Sequence, residues 1–218
     1  RAVARAGTRT KLACAAVSGS SAITKIIAMP DNLRERDMEE QIKVEADQYI
    51  PYPIEEVNLD FEILGVSDKA PDSVDVLLAA CRSEQIDNLA AALEIGGLSS
   101  KVIDIETFAM ENACQLLRHQ MPDGGADKTV AIVDMGATIT AVMVLHDLEA
   151  VYTRDQAFGG KQLTEEIMRN FGMSAEEAGK AKKYGNLPET YEAEILPGFI
   201  DDMAQQIDRS LQFFFSAS

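Results

Sequence analysis

Val57, Leu59, Phe61 and Ile63 alternate with Asn58, Asp60 and Glu62, and this period of two predicts a strand with one wet face. Lys11 to Ala28 is rich in Val, Ile, Ala and Thr and is broken at Ser18-Gly19-Ser20-Ser21, which predicts two strands about a small-residue turn. Val74 to Ala80 is almost continuously apolar, as a strand covered on both faces should be, and Lys101 to Ile105 reads as one more strand. Between these runs the period lengthens. Met38, Ile42, Ala46, Tyr49 and Ile50 recur at helical spacing, with Asp37 and Glu40 as a capping box and Pro51 as the stop. Ser83 is placed to cap a helix striped by Ile86, Leu89, Ala90 and Leu93, and Gly96-Gly97 suits its left-handed end. A third helix is predicted from Glu106 to about Gln120, with Phe108, Ala109, Ala113, Leu116 and Leu117 as its apolar side.

Pro122-Asp123-Gly124-Gly125-Ala126 is the strongest punctuation in the chain and predicts a linker and domain boundary. Beyond it, Val130 to Leu145 reads as a tight hairpin, Ala150 to Tyr152 as a third strand, and Lys161 to Phe171 as a helix opened by Gly159-Gly160. Ser174 with Glu177 caps the next helix, which Gly185 closes. Ile200, Met203, Ala204, Ile207 and Leu211 mark a final amphipathic helix. Interspersed strands and helices of this kind make an α/β or α+β chain.

Composition removes several classes of function. The net charge is -16, from 20 basic and 36 acidic side chains, and such an acidic surface disfavours nucleic acid or anionic lipid as the main partner. Cys14, Cys81 and Cys114 are widely spaced and sit among apolar neighbours, which predicts core positions and neither a disulfide framework nor a zinc site. No apolar run reaches the length of a membrane span, so a cytoplasmic chain is expected. His119 and His146 lack a metal-site pattern, and no serine or cysteine lies in a nucleophile motif. Phe213-Phe214-Phe215 is read as core, with a membrane or partner anchor as the alternative, and Tyr49 and Tyr52 as packing at the Pro51-Tyr52-Pro53 corner, with a peptide-binding wall as the alternative. The chain opens without an initiator methionine and stops inside a helical pattern, so it reads as a piece of a longer protein.

The candidate chemistry lies in the hairpin. Asp134 ends an apolar strand just before a glycine turn, where a carboxylate can hold a divalent cation or orient a water. Gly136 and Ala137 allow close approach to a phosphate, and Thr138 and Thr140 offer hydroxyls. Gly159 and Gly160 precede a helix whose N-terminal donors and dipole favour an anion, with Lys161 beside them as a cation. Glu177 and Lys180 share one helical face, where they can bracket a ribose or purine or form an ordinary surface pair.

Two segments carry a resemblance. Val133-Asp134-Met135-Gly136-Ala137-Thr138, followed by Ala157-Phe158-Gly159-Gly160-Lys161-Gln162-Leu163-Thr164-Glu165, resembles the second phosphate segment and adjoining turn of the actin, Hsp70 and FtsA superfamily. Glu45-Ala46-Asp47-Gln48-Tyr49-Ile50-Pro51-Tyr52-Pro53-Ile54-Glu55-Glu56-Val57, with Arg209-Ser210-Leu211-Gln212-Phe213-Phe214-Phe215, resembles the PilM family of actin-like proteins of type IV pilus assembly. The resemblance implies actin-like (ribonuclease H-like) lobes with an inserted FtsA-type 1C (SHS2-like) subdomain. Residues 1–19 would end subdomain 1A, 20–105 form 1C, 106–121 return to 1A, 122–126 link, and 127–218 form the second lobe, with subdomain 2A and the start of 2B. It also implies ATP with Mg2+ at Asp134, Gly136, Ala137, Thr138, Thr140, Gly159, Gly160, Lys161, Glu177 and Lys180, with at most weak hydrolysis. The implied partner is the cytoplasmic tail of PilN, with PilO reached through it, at the inner membrane. The family's first phosphate loop would precede Arg1 and its late adenosine segment would follow Ser218. The expected role is a nucleotide-binding scaffold; a kinase-like phosphotransferase and a filament former are the alternatives.

Overall fold

A computed structural model describes residues 2–68 and 70–217; Arg1 and Ser218, which bound the predicted domain ranges, and Lys69 lie outside them. The chain divides into two compact units, Arg1–Met110 and Glu111–Ser218. In the first, a short helix α1 (Ala2–Ala6) precedes β1 (Leu12–Val17), β2 (Ala22–Pro30), α2 (Glu35–Ala46), β3 (Val57–Val66), β4 (Ser73–Arg82), α3 (Ser83–Ile95) and β5 (Ser99–Ile105). The division falls inside α4 (Glu106–Leu116).

β1 and β5 pair in parallel, from Leu12 opposite Ser99 to Val17 opposite Ile105. β4 runs between β2 and β3, antiparallel to both, and this central position explains its mostly apolar run. On one face of this sheet Met38, Ile42, Ala46 and Ile50 from the α2 segment bury Ile27, Met29, Val76, Leu78 and Ala80. On the other, Val17, Cys81 and Ile105 are packed with Ile86, Leu89 and Phe108. The predicted break at Ser18 to Ser21 is a single 3-10 turn over Gly19–Ser21 that carries the chain from one sheet to the other. Gly19 is needed there because a Cβ would come 2.9 Å from the Thr107 side chain.

Both helix starts differ from expectation. α2 begins at Glu35 with Arg34 as its N-cap, so Asp37 lies inside the first turn and makes no cap. Leu33 packs on the core, which fixes the entry of the chain before Asp37 is reached. Ser83 is the first residue of α3 rather than its cap, because β4 runs directly into the helix; its hydroxyl accepts a hydrogen bond from the Asn58 amide at 3.1 Å. The Gly96-Gly97 ending holds, with Gly97 left-handed at φ +76°. α4 is covered only as far as Cys114, and Ala113, Leu116 and Leu117 are exposed. Cys14 is exposed as well, on the uncovered side of β1, while Cys81 and Cys114 are buried.

The second unit contains β6 (Thr129–Met135), β7 (Thr140–His146), β8 (Glu149–Gln156), α5 (Gly160–Phe171), α6 (Ala175–Tyr184) and α7 (Leu196–Ala217). Its sheet is antiparallel in the order β6-β7-β8, and the central strand buries Val142, Met143, Val144 and Leu145 almost completely. Leu163, Ile167 and Ala178 join α5 to α6, with Phe171, Leu196 and Phe199 packed around them. Along α7 the inward positions include Met203 and Ser210, whereas Ile200 is 54 % exposed. Ser210 is held there by the Gln156 amide, which donates to its hydroxyl at 3.0 Å. The Phe213 to Phe215 run is not core: Phe213 and Phe215 are exposed, and the Arg154 guanidinium lies 3.9 Å from the Phe213 ring.

Candidate functional site

The β6–β7 hairpin turns through Gly136-Ala137-Thr138-Ile139, closed by the Gly136 N–H donating to the Ile139 carbonyl at 2.9 Å. The turn is so tight that a Cβ on Gly136 would sit 2.6 Å from that oxygen. Asp134, Ala137 and Thr138 are exposed around it. Among the described residues no protein acceptor meets the Ala137 or Thr138 N–H, and no protein donor meets the Asp134 carboxylate. Thr140 departs from expectation. It is buried, and its hydroxyl donates to the Phe158 carbonyl at 2.8 Å, so it fastens β7 to the segment before α5 and faces no ligand.

α5 begins against this turn. Its first N–H groups do not point into solvent: Gly160 donates to the Gly136 carbonyl at 3.0 Å and Lys161 to the Ala137 carbonyl at 2.7 Å. The Gly159 N–H is taken by the Gln162 side chain at 2.9 Å, a reciprocal capping arrangement. The donors that the sequence offers to a phosphate at the Gly159-Gly160 helix start are therefore spent on the hairpin and on Gln162. The open backbone donors are those of the hairpin tip. Lys161 extends outward and pairs with Glu165 at 3.7 Å, with 63 % of its side chain exposed.

The lysine that does reach this region is Lys182 of α6. Its ammonium donates to the Gly160 carbonyl at 2.6 Å and to the Thr164 hydroxyl at 2.8 Å, and desolvation lowers its pKa from the ordinary value. No carboxylate among the described residues pairs with it. The sequence reading missed it because a lysine among Lys180, Lys182 and Lys183 looks like any surface residue. The available signal was its place four residues after the buried Ala178, on the covered face of α6.

Glu177 and Lys180 line a neighbouring hollow of about 530 Å³ on α6 that is also bounded by Gly172, Met173 and Tyr184. Both already have local work. The Glu177 carboxylate accepts from the Ser174 hydroxyl and N–H at 2.6 and 2.9 Å, and these bonds hold its pKa below the ordinary value. Lys180 donates to Glu176 at 2.6 Å. The cap predicted at Ser174 is present, and the two side chains keep part of the hollow's wall in place.

A second candidate surface belongs to the first unit. Two adjoining hollows of about 300 and 350 Å³ separate the outer face of β3 and β4 from β5 and α4. Asp60, Glu62 and Asp104 stand at their walls, and Leu77, Ala79, Ile103 and Phe108 supply apolar surface. An apolar trough with a carboxylate rim suits an extended peptide that carries apolar anchors and positive charge. Among the described residues no cluster of His, Cys, Asp and Glu is arranged to hold a metal ion, so a divalent cation would need the oxygen atoms of a ligand in addition to Asp134.

The family model described as "Type IV pilus assembly protein PilM" matches residues 1–218. Among solved structures, the chain is similar to a chain of a "PilM-PilN type IV pilus biogenesis complex", at 29 % identity and a TM-score of 0.72. That match covers 97 % of this chain and 61 % of the other; the chain thus spans about three-fifths of the length of the relative it matches. Ethanolamine utilization protein EutJ from Carboxydothermus hydrogenoformans aligns at 19 % identity and a TM-score of 0.44, over 59 % of this chain and 42 % of its own. MreB 5 of Spiroplasma citri bound to AMPPNP aligns at 14 % and 0.42, over 60 % and 46 %.

Proposed function

Because the chain belongs to the family of type IV pilus assembly protein PilM, we propose that it is a nucleotide-binding scaffold that grips the cytoplasmic tail of PilN. The fold is actin-like, and the protein is an actin-like component of type IV pilus assembly. The observation that carries the finer reading is the likeness to a PilM-PilN complex over 97 % of this chain, together with the acid-rimmed trough of the first unit. In this reading residues 1–19 and 106–121 belong to subdomain 1A and 20–105 to 1C. The trough bounded by Asp60, Glu62 and Asp104 then lies between β3 and β4 on one side and β5 on the other, all of 1C, with α4 of 1A at its edge, and it receives the PilN tail.

The second unit senses nucleotide. The Ala137 and Thr138 N–H groups and the Thr138 hydroxyl are open toward a phosphate oxygen, and the unpaired Asp134 carboxylate beside them suits a hydrated magnesium ion. These residues fit ATP with Mg2+; the cation, when bound, neutralises phosphate charge. Gly136 keeps the tip narrow, Gly159 and Gly160 seat it on α5, and Glu177 and Lys180 border the hollow on α6. Binding, with little turnover, is the output this arrangement supports, and occupancy biases the partner-binding state. No helix among the described residues is long and apolar enough to cross a membrane, and attachment to the inner membrane runs through PilN, with PilO one step further.

Titration of the full-length protein with a synthetic PilN tail, with and without Mg-ATP, tests this reading. Binding should weaken when Asp60 and Asp104 are changed to lysine. Absence of binding in both nucleotide states would sink it.

A further inference from the structure

Lys182 has no part in the reading above, and its position raises an electrostatic question. An ammonium usually gains by lying near the C-terminal end of a helix, where carbonyls are unpaired, and loses near the N-terminal end. Lys182 sits at the first turn of α5 without a carboxylate, against the Gly160 carbonyl at 2.6 Å. The Thr164 hydroxyl donates to the same carbonyl at 3.0 Å.

The route from this charge to the hairpin tip can be followed bond by bond. The Gly160 carbonyl and the Lys161 N–H are the two ends of one resonant peptide group. The Lys161 N–H donates to the Ala137 carbonyl at 2.7 Å. That carbonyl and the Thr138 N–H are in turn the two ends of the next peptide group. A positive charge at the first carbonyl strengthens the N–H at its far side as a donor, and the same polarisation passes to the second. The chain of bonds ends at the Thr138 N–H, which has no protein acceptor among the described residues. A parallel contact from the Gly160 N–H to the Gly136 carbonyl at 3.0 Å acts on the peptide that contains the Ala137 N–H.

We infer that Lys182 is a positioning residue: through the Gly160 and Ala137 peptide groups it orients and polarises the Thr138 N–H toward an anion at the hairpin tip. It never touches the anion. The inference rests on the nucleotide reading for the identity of the anion, whereas the polarisation is a property of the free protein.

The test uses the full-length protein and two readouts, the amide proton chemical shift of Thr138 without ligand and the affinity for Mg-ATP. Lys182→Met, or Lys182→Gln if the first does not fold, should move the Thr138 amide upfield and weaken Mg-ATP binding about fivefold to tenfold, as loss of a charge-assisted chain implies. Lys182→Arg should stay within about twofold of the parent, because it keeps the charge. Thr164→Val disturbs the same contact but keeps the ammonium, and it should leave the Thr138 shift in place. A neutral variant with unchanged shift and affinity overturns the inference, and so does Thr164→Val if it reproduces the neutral variant. A parent protein that fails to bind Mg-ATP, but whose Thr138 amide still responds to Lys182→Met, upholds the relay and rejects the nucleotide.

Discussion

A Cβ built on Gly159 would lie 2.6 Å from the carbonyl oxygen of Gly136, so the hairpin tip and the start of α5 meet backbone against backbone. This contact explains Gly159 better than direct ligand binding does, and Gly136 is required by the Ile139 carbonyl, 2.6 Å from where its Cβ would lie. It also makes the tip and the helix one mechanical piece: whatever orders Gly136 to Ile139 bears on α5.

Gly159→Ala isolates that contact. The φ of Gly159 is -178°, extended backbone open to any residue, so the whole effect is the collision with Gly136 and Ala137. Overpacking of this kind costs about 1–3 kcal/mol. Urea denaturation should show a lower midpoint at an unchanged slope, and a midpoint equal to that of the parent would mean that the two turns do not pack as described.

Glu111 supplies a pH-dependent prediction. Burial raises its pKa, the Ala150 N–H opposes the rise, and Glu149 adds to it. A carboxyl with a higher pKa folded than unfolded holds more protons in the folded state, so stability falls as pH rises from the ordinary carboxylate value through the raised one. Glu111→Gln keeps an acceptor for Ala150 and removes the charge. Thermal melts should find this variant more stable than the parent at neutral pH, with the gap closing as pH drops below the usual carboxylate range. A gap independent of pH would refute the assignment.

The cysteines should separate by reactivity. Cys14 is exposed while Cys81 and Cys114 are buried, and burial raises the Cys81 pKa further, which lowers its thiolate fraction. A thiol reagent should modify one group rapidly and two slowly in the native protein, and Cys14→Ser should remove the fast phase alone. Two fast groups in the parent would contradict the burial of Cys81 and Cys114.

Much of the fold was legible because the signals are local. The β3 alternation, the apolar β4 and the Ser174 cap all state their own environment, since side-chain period and capping chemistry act over a few residues. Asp37 and Ser83 misled for the same reason in reverse: each has good capping chemistry, but Leu33 and the continuous β4-to-α3 path place the helix start elsewhere. Phe213 and Phe215 show the limit of reading an apolar run as core, since burial depends on what else packs there.

The site divides in the same way. Asp134, Gly136 and Thr138 follow from the strand, the tight turn and the residues at its tip, all written within a few positions. Whether a hydroxyl or N–H is open to a ligand depends on partners far along the chain. Thr140 turned inward because the Phe158 carbonyl needed a donor, and the α5 N–H groups were taken because the Gly136 and Ala137 carbonyls did. Sequence determined by itself the strands, the helices, the turn chemistry and the family likeness, which rest on short-range periodicity and sterics. Only the tertiary structure decided which donors remain unpaired and that Lys182, rather than Lys161, lies beneath the tip. A hydrogen-bond inventory balances only once distant segments have been brought together.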